Sequence, residues 1–216
     1  LHLARGQHVL ARSHYDQALS IAEEVGDRRW EGSARSNLGL LCQELGDADQ
    51  AFDHFSRALV IAKEIGDIRL EYVLQCNLGI FFGKQSEHAK AIAYLRAAAQ
   101  AAQSNNDLRS EGQFRGYLAV TLARLAQFAD ATLAWNTAKS LLSTVSDRLS
   151  MALLTSQGAE IQLLSGNIVN AAALIASASL EAQELRVEAG SELATAIDAV
   201  KERLRSGNAG IQGTST

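Results

Sequence analysis

Proline is missing from this chain altogether. An average globular sequence of this length would carry roughly ten. Proline settles in turns and at sheet edges and breaks helix interiors. Its absence, beside abundant alanine, favours an all-helical protein. Aromatic residues are scarce at 6%, too few for the core of a β-sandwich or barrel. Only two cysteines occur, Cys42 and Cys76. They exclude a disulfide-dense scaffold and fit a reducing compartment. The sequence has no apolar run of the roughly eighteen residues that a membrane-spanning helix needs. An excess of basic residues, which a phosphate-neutralising groove requires, is also lacking: the net charge is −4 and the pI about 5.7. These absences predict no direct nucleic-acid partner, no membrane partner and a cytoplasmic setting. The chain opens on Leu1 with no signal peptide before it, which predicts a piece of a longer protein.

What is present points to a packed core. Hydrophobic residues make up 47% of the 216, charged residues 20%, and mean hydropathy is −0.03, values that argue against disorder. A repeat organises them. Gly26-Asp27 returns as Gly66-Asp67, then as Asn106-Asp107 and Ser146-Asp147, every 40 residues. Asn37-Leu38-Gly39 returns as Asn77-Leu78-Gly79 and weakens to Tyr117-Leu118-Ala119 and Gln157-Gly158-Ala159. Ala11, Ala51, Ala91, Ala131 and Ala171 share one position of the repeat; Ala18, Ala58, Ala98, Ala138 and Ala178 share another.

Within each unit the apolar period is helical. Trp30, Ala34, Leu38 and Leu41 make one stripe; Ala51, Phe55, Ala58, Leu59 and Ala62 make another. Glycine followed by Asp or Asn is a stop-and-restart signal, the first closing a helix and the second capping the next. Each unit therefore reads as two antiparallel helices of roughly 17 residues, about 25 Å long. The recurrent alanines and Gly39 mark places where two helices approach closely, with Leu38, Phe55 and their equivalents filling the space between.

These residues resemble the tetratricopeptide repeat. That family shows a Leu-Gly pair in its first helix and a spaced Ala, aromatic and Ala in its second. Here they stand as Leu38-Gly39, Ala51, Phe55 and Ala58, and again as Leu78-Gly79, Ala91, Leu95 and Ala98. The third unit keeps Leu118, Ala131, Trp135 and Ala138, the fourth Ala171, Ile175 and Ala178, and Ala11, Tyr15 and Ala18 precede them. The period is 40 rather than the usual 34, which matches the longer-helix variety found in regulatory scaffolds and bacterial signalling proteins. The resemblance implies an all-α, right-handed superhelical solenoid of antiparallel helix pairs. The expected layout is a partial repeat at 1–26, repeats at about 27–66, 67–106, 107–146 and 147–186, and a capping helix at 187–205. Leu1 to Arg5 reads as the end of a first helix. Leu193, Ile197, Val200 and Leu204 form the capping helix's apolar stripe. Residues 1–205 are expected to form one domain and 206–216 a flexible tail.

No catalytic constellation is evident, so no enzyme activity and no cofactor are expected. His14 and His54 share one repeat position, but zinc takes three or four ligands and no Cys or carboxylate accompanies them. They read as solvated, with no metal site. Cys42 reads as a core residue, Cys76 as facing the groove, and Trp30 and Trp135 as core. The Asp-Arg pairs at each turn read as an N-cap with an arginine bridging to acids on neighbouring units.

The family binds along a concave surface lined by its first helices. Carried over position by position, the resemblance implies a groove. It holds Ser33, Ser36, Asn37, Leu40 and Glu44 in the first full unit, and Val73, Asn77, Ile80 and Lys84 in the second. The third contributes Gln113, Tyr117, Val120 and Arg124, and the fourth Gln157 and Glu160. Asn37 and Asn77 match an asparagine that holds a bound peptide's backbone in related arrays; a carboxamide offers both donor and acceptor. The alternative is an Asn bonded within its own solenoid. Leu40, Ile80 and Val120 would form an apolar rail, with Lys84 and Arg124 adding positive charge. The expected function is a non-catalytic module binding a peptide or protein segment in this groove. One alternative is a ligand-sensing or regulatory segment of a larger bacterial signalling or transcription-regulating protein. The other is a homodimer formed through Leu153, Leu163 and Leu164 or through the N-terminal face.

Overall fold

The computed structural model describes residues 8–212. The expected helix end at Leu1–Arg5 and the last residues of the expected tail, 213–216, lie outside the described residues. Among the described residues ten helices follow one another: α1 His8–Val25, α2 Arg28–Glu44, α3 Ala48–Glu64, α4 Ile68–Lys84, α5 His88–Ser104, α6 Leu108–Arg124, α7 Phe128–Thr144, α8 Arg148–Leu164, α9 Ile168–Glu184 and α10 Glu192–Gln212. There is no strand among the described residues. Each helix from α2 to α9 has 17 residues, as the periodicity predicts. The chain is an all-α repeat solenoid.

The turns explain this regularity. At every helix end from α1 to α9 one residue takes a left-handed backbone: Gly26, Gly46, Gly66, Ser86, Asn106, Ala126, Ser146, Gly166 and Arg186. The next residue's N–H reaches back five positions, as Asp27 does to the Ala22 carbonyl, Asp47 to Cys42 and Gln127 to Leu122. This closure satisfies carbonyls that a helix end leaves unpaired. That same next residue then opens the following helix. The carboxylates of Asp27, Asp47, Asp67 and Asp147 accept from the N–H three residues on, at Trp30, Gln50, Leu70 and Ser150. Glu87 and Gln127 make no such side-chain bond, because one extra methylene carries the acceptor past the N–H.

The arginines behind the caps bridge the helices. Arg29 pairs with Asp67, the cap one unit on, at 2.8 Å. Arg148 pairs with Glu181 and Glu184 near the end of α9, and Arg28 meets Glu64 in the same relation. The paired acid thus lies at the end of the unit's own second helix or in the next cap.

Small residues set the helix spacing. Ala51, Ala58, Ala91, Ala98, Ala131, Ala138 and Ala171 are wholly buried, and Ala178 nearly so. Ala18, at the same position in the first unit, is exposed; its unit has no described first helix. A Cβ on Gly39 would stand 2.7 Å from the Phe55 ring, and one on Gly79 2.6 Å from Leu95. The Leu-Gly pair is therefore the seat for the large residue of the second helix.

One expectation, that for Trp30, is corrected here. The chain forms two compact units, Leu1–Phe114 and Arg115–Thr216. In a repeat array each pair buries its surface against its neighbours, and no core common to all repeats exists. Trp30 is 68% exposed instead of core. Its equivalent Leu70 tucks against Gly32 of the preceding unit, whereas only α1 precedes Trp30 among the described residues.

Cys42 is fully buried, as expected, while Cys76 is also buried and so does not face an open groove. In unit 1 the buried Tyr72 pairs with the half-buried cap Asp107, the Tyr72 hydroxyl donating to Asp107 at 2.7 Å. Burial and then this carboxylate push the Tyr72 hydroxyl up to about 12. Burial alone would raise Asp107. Bonds from the Ser110 backbone N–H, Tyr72 and the Ser110 hydroxyl outweigh it and hold the carboxyl below its ordinary value.

Three stability outcomes follow from these contacts. Gly39→Ala should cost about 1–2 kcal/mol in urea unfolding, since the clash with the immobile Phe55 exceeds the helix-propensity gain. Ala126→Gly should instead raise stability by about 0.5–1 kcal/mol by relieving the left-handed backbone. Asp107→Ala should cost about 2 kcal/mol at pH 7. Because the folded carboxyl titrates low, its contribution is complete above the ordinary value and is lost as pH falls through the folded one. The gap between wild type and Asp107→Ala should therefore narrow below about pH 4; a gap constant down to pH 2 would contradict this assignment.

Candidate functional site

The expected groove positions fall on both units, and each unit treats them differently. In unit 1 they lie on α2, α4 and the first part of α6. Asn37, Glu44 and Lys84 are exposed; Ser33, Leu40, Val73, Asn77, Ile80 and Gln113 are half-buried. Leu40 rests on the core formed by Cys42, Phe55, Leu78 and Phe82. Ser33 turns its hydroxyl to the Arg29 carbonyl at 3.0 Å.

The two asparagines differ. Asn77 donates its amide to the Ser36 hydroxyl at 3.2 Å, from one first helix to the preceding one. That bond realises the intramolecular alternative for Asn77. Ser36 is itself buried, which corrects its placement as a partner contact. Asn37 has no equivalent of Ser36 before it among the described residues, and its amide is exposed and unbonded there.

Charge gathers at the far end of the face. The His8 imidazole lies 3.8 Å from the Glu44 carboxylate. Burial raises the Glu44 carboxyl above its ordinary value, and His8 and Lys84 pull against that shift. Glu44 and Lys84 are thus close enough to feel each other across the ends of α2 and α4.

In unit 2 the same positions are largely occupied. Gln157 is buried, and its side chain fills the space where a Cβ on Gly116 would stand. Asn77 over Ser36 and Gln157 over Gly116 are the same contact, each 41 residues apart. Val120 is buried at 7% exposure. Both residues therefore depart from the groove expectation: they pack inside the array. Arg124 is not a free cation; it pairs with Glu160 at 2.9 Å. Glu160 also receives Arg203 of α10 at 3.4 Å, and the Tyr117 hydroxyl bonds to Glu192 at the start of α10. Leu153 and Leu163, expected as an open dimer surface, pack against the core that contains Leu193, Ile197 and Val200 of α10.

Glu192 and Arg203 contact the expected groove positions Tyr117 and Glu160, a pairing that sequence reasoning missed. The signal was present in the charges: an acid and an arginine on α10 facing a tyrosine and an acid of the groove. The expected capping helix at 187–205 is found at Glu192–Gln212, so part of the expected tail is helical. Trp135 is half-buried, its indole N–H donating to the Leu154 carbonyl at 2.8 Å while it packs on Gly158. Among the described residues no three His, Cys, Asp or Glu side chains gather to hold a metal ion. No helix among them is long and apolar enough to cross a membrane.

The described helices form an array of repeated antiparallel pairs. Residues 1–64 match the family model described as tetratricopeptide repeat, and the fold continues the same helix pair at the same period beyond them. No curated protein gives a significant match. Solved structures resemble it in fold at low identity. BtubC from P. vanneervenii is 16% identical, with a TM-score of 0.67, over 99% of this chain and 94% of that one. Aspartyl phosphate phosphatase F from Bacillus subtilis is 16% identical, with a TM-score of 0.68, over 95% of this chain and 56% of that one. A Rap protein complexed with competence and sporulation factor is 14% identical, with a TM-score of 0.69, over 95% and 62%. This chain therefore spans little more than half the length of the latter two.

Proposed function

We propose that the chain binds a peptide or protein segment on the first-helix face of unit 1. The observation that carries this reading is the contrast between the asparagines. Asn77 is engaged with Ser36, whereas Asn37 presents an unbonded carboxamide among the described residues. Beside it, Leu40, Val73 and Ile80 are half-buried aliphatics that still reach the surface. A carboxamide next to an apolar strip can hold a peptide backbone while side chains of the partner dock alongside. Lys84 and Glu44 at the strip's end add charge that favours one orientation of the segment. The Rap protein complexed with competence and sporulation factor supports this type of use for the fold.

A second reading is a regulatory segment of a larger signalling protein. Its support is that two of the similar structures, phosphatase F and the Rap protein, are each spanned only in part, at 56% and 62%.

A peptide library displayed on phage and selected on the wild-type chain tests the binding face. Peptides so selected should lose roughly 10- to 30-fold in affinity for the Asn37→Ala/Lys84→Glu variant, while Asn77→Ala alone should lower thermal stability more than binding. Selected peptides that bind the double variant as well as wild type would remove the unit 1 face from the proposal.

A further inference from the structure

The last helix does not sit as one more first helix. In the 40-residue register Leu193, Ile197 and Val200 of α10 stand where Val73, Asn77 and Ile80 stand in α4. Those α4 residues are half-buried, and the deeply buried ones are Leu74, Leu78 and Phe81. In α10 the order is reversed. Leu193, Ile197 and Val200 are 3%, 4% and 2% exposed, while Asp198, at the position of Leu78, is exposed. The buried stripe has moved by one residue, roughly 100° around the helix axis.

The connection explains the freedom to turn. Three residues link α2 to α3 and α3 to α4, but residues 185–191 separate α9 from α10. The end of α9 is closed by its own backbone bond from Val187 to Ala182, so α9 does not need α10 to terminate it. Gly190 then takes a left-handed turn, and the Ser191 hydroxyl caps α10 by accepting from the Ala194 N–H.

So placed, α10 packs on α8 as well as α9. Its stripe covers Leu153, Leu163 and Leu174. Its ends are pinned by polar contacts, Glu192 with Tyr117 at the start and Arg203 with Glu160 near the end. Both pins lie at exposed positions of α10, where such contacts hold weakly. The face that α10 covers in unit 2 is the counterpart of the face left open in unit 1.

We infer that the first-helix face of unit 2 is a helix-binding surface on which α10 is a displaceable resident. Its partner is an amphipathic helix of another protein with the pattern α10 displays. That pattern is an acid at the start, large aliphatic residues at i, i+4, i+7 and i+11, and an arginine near the end. The inference stands on unit 2 alone and does not depend on the reading of unit 1.

The probe is a fluorescent synthetic peptide of residues 191–206, added to the full chain and followed by anisotropy. In wild type the resident helix lowers apparent affinity by the fraction of time the face is open. Weakening the pins from the α10 side, with Glu192→Ala and Arg203→Glu together, leaves the face itself unchanged and should tighten peptide binding by about tenfold or more. Ile197→Glu, which drives the stripe off, should tighten it further. Since a charge at Ile197 also threatens unit 2 itself, the pin variant decides the matter if Ile197→Glu loses helicity. Hydrogen exchange adds a second readout: α10 should exchange ahead of α8 and α9 in wild type. Unchanged peptide affinity in a folded pin variant, or exchange of α10 in step with α8 and α9, overturns the inference. A pin variant that forms a concentration-dependent dimer by light scattering also overturns it, because the occupant would then be a second copy.

Discussion

One backbone event governs the architecture: a left-handed residue at each helix end, followed by a residue that closes one helix and opens the next. It recurs every 20 residues from Gly26 to Arg186. Because the closing N–H and the capping carboxylate belong to the same residue in five of these nine turns, such a connection cannot lengthen without losing one of its two functions. Helix length is then fixed, and with it the position of every small residue that lets the next helix approach. Ala51, Ala58 and Gly39 work only because the turns deliver them opposite one another. Residues such as Ala126 and Arg186 hold the same backbone without glycine's freedom, so the fold bears a modest strain at those turns to keep the period.

The helix pattern was legible in the sequence because it depends on local signals that repeat. The Gly-Asp turns, the aligned alanines and the Leu-Gly pair each report on contacts between residues close in the array. The candidate face was less legible. Asn37 and Asn77 open the same Asn-Leu-Gly motif, yet among the described residues only Asn77 has a preceding Ser36 to bond. Val120 aligns with Leu40 and Ile80 but is buried where they are not. Trp30 lies on an apolar stripe whose covering surface would come from a preceding unit. In each case the outcome depends on what lies one repeat away, which a residue's own periodicity does not encode.

The C-terminal helix illustrates a different limit. Its stripe of Leu193, Ile197, Val200 and Leu204 was readable, but the direction in which it points was not. That direction is set by the length of the connection at residues 185–191 and by charges on α6 and α8. A capping role and a covering role use the same four residues. What separates them is whether the helix continues the register of the helices before it or turns out of it.

The two tryptophans have a consequence for how the molecule is observed. Trp30 lies in unit 1 and is largely exposed, while Trp135 lies in unit 2, stacked on Gly158 under the Lys139 ammonium with its indole N–H bonded to a carbonyl. Their emission should therefore differ in colour and in access to a dissolved quencher such as iodide. Each compact unit carries its own optical label, so the melting of one can be distinguished from that of the other in a single unmodified sample.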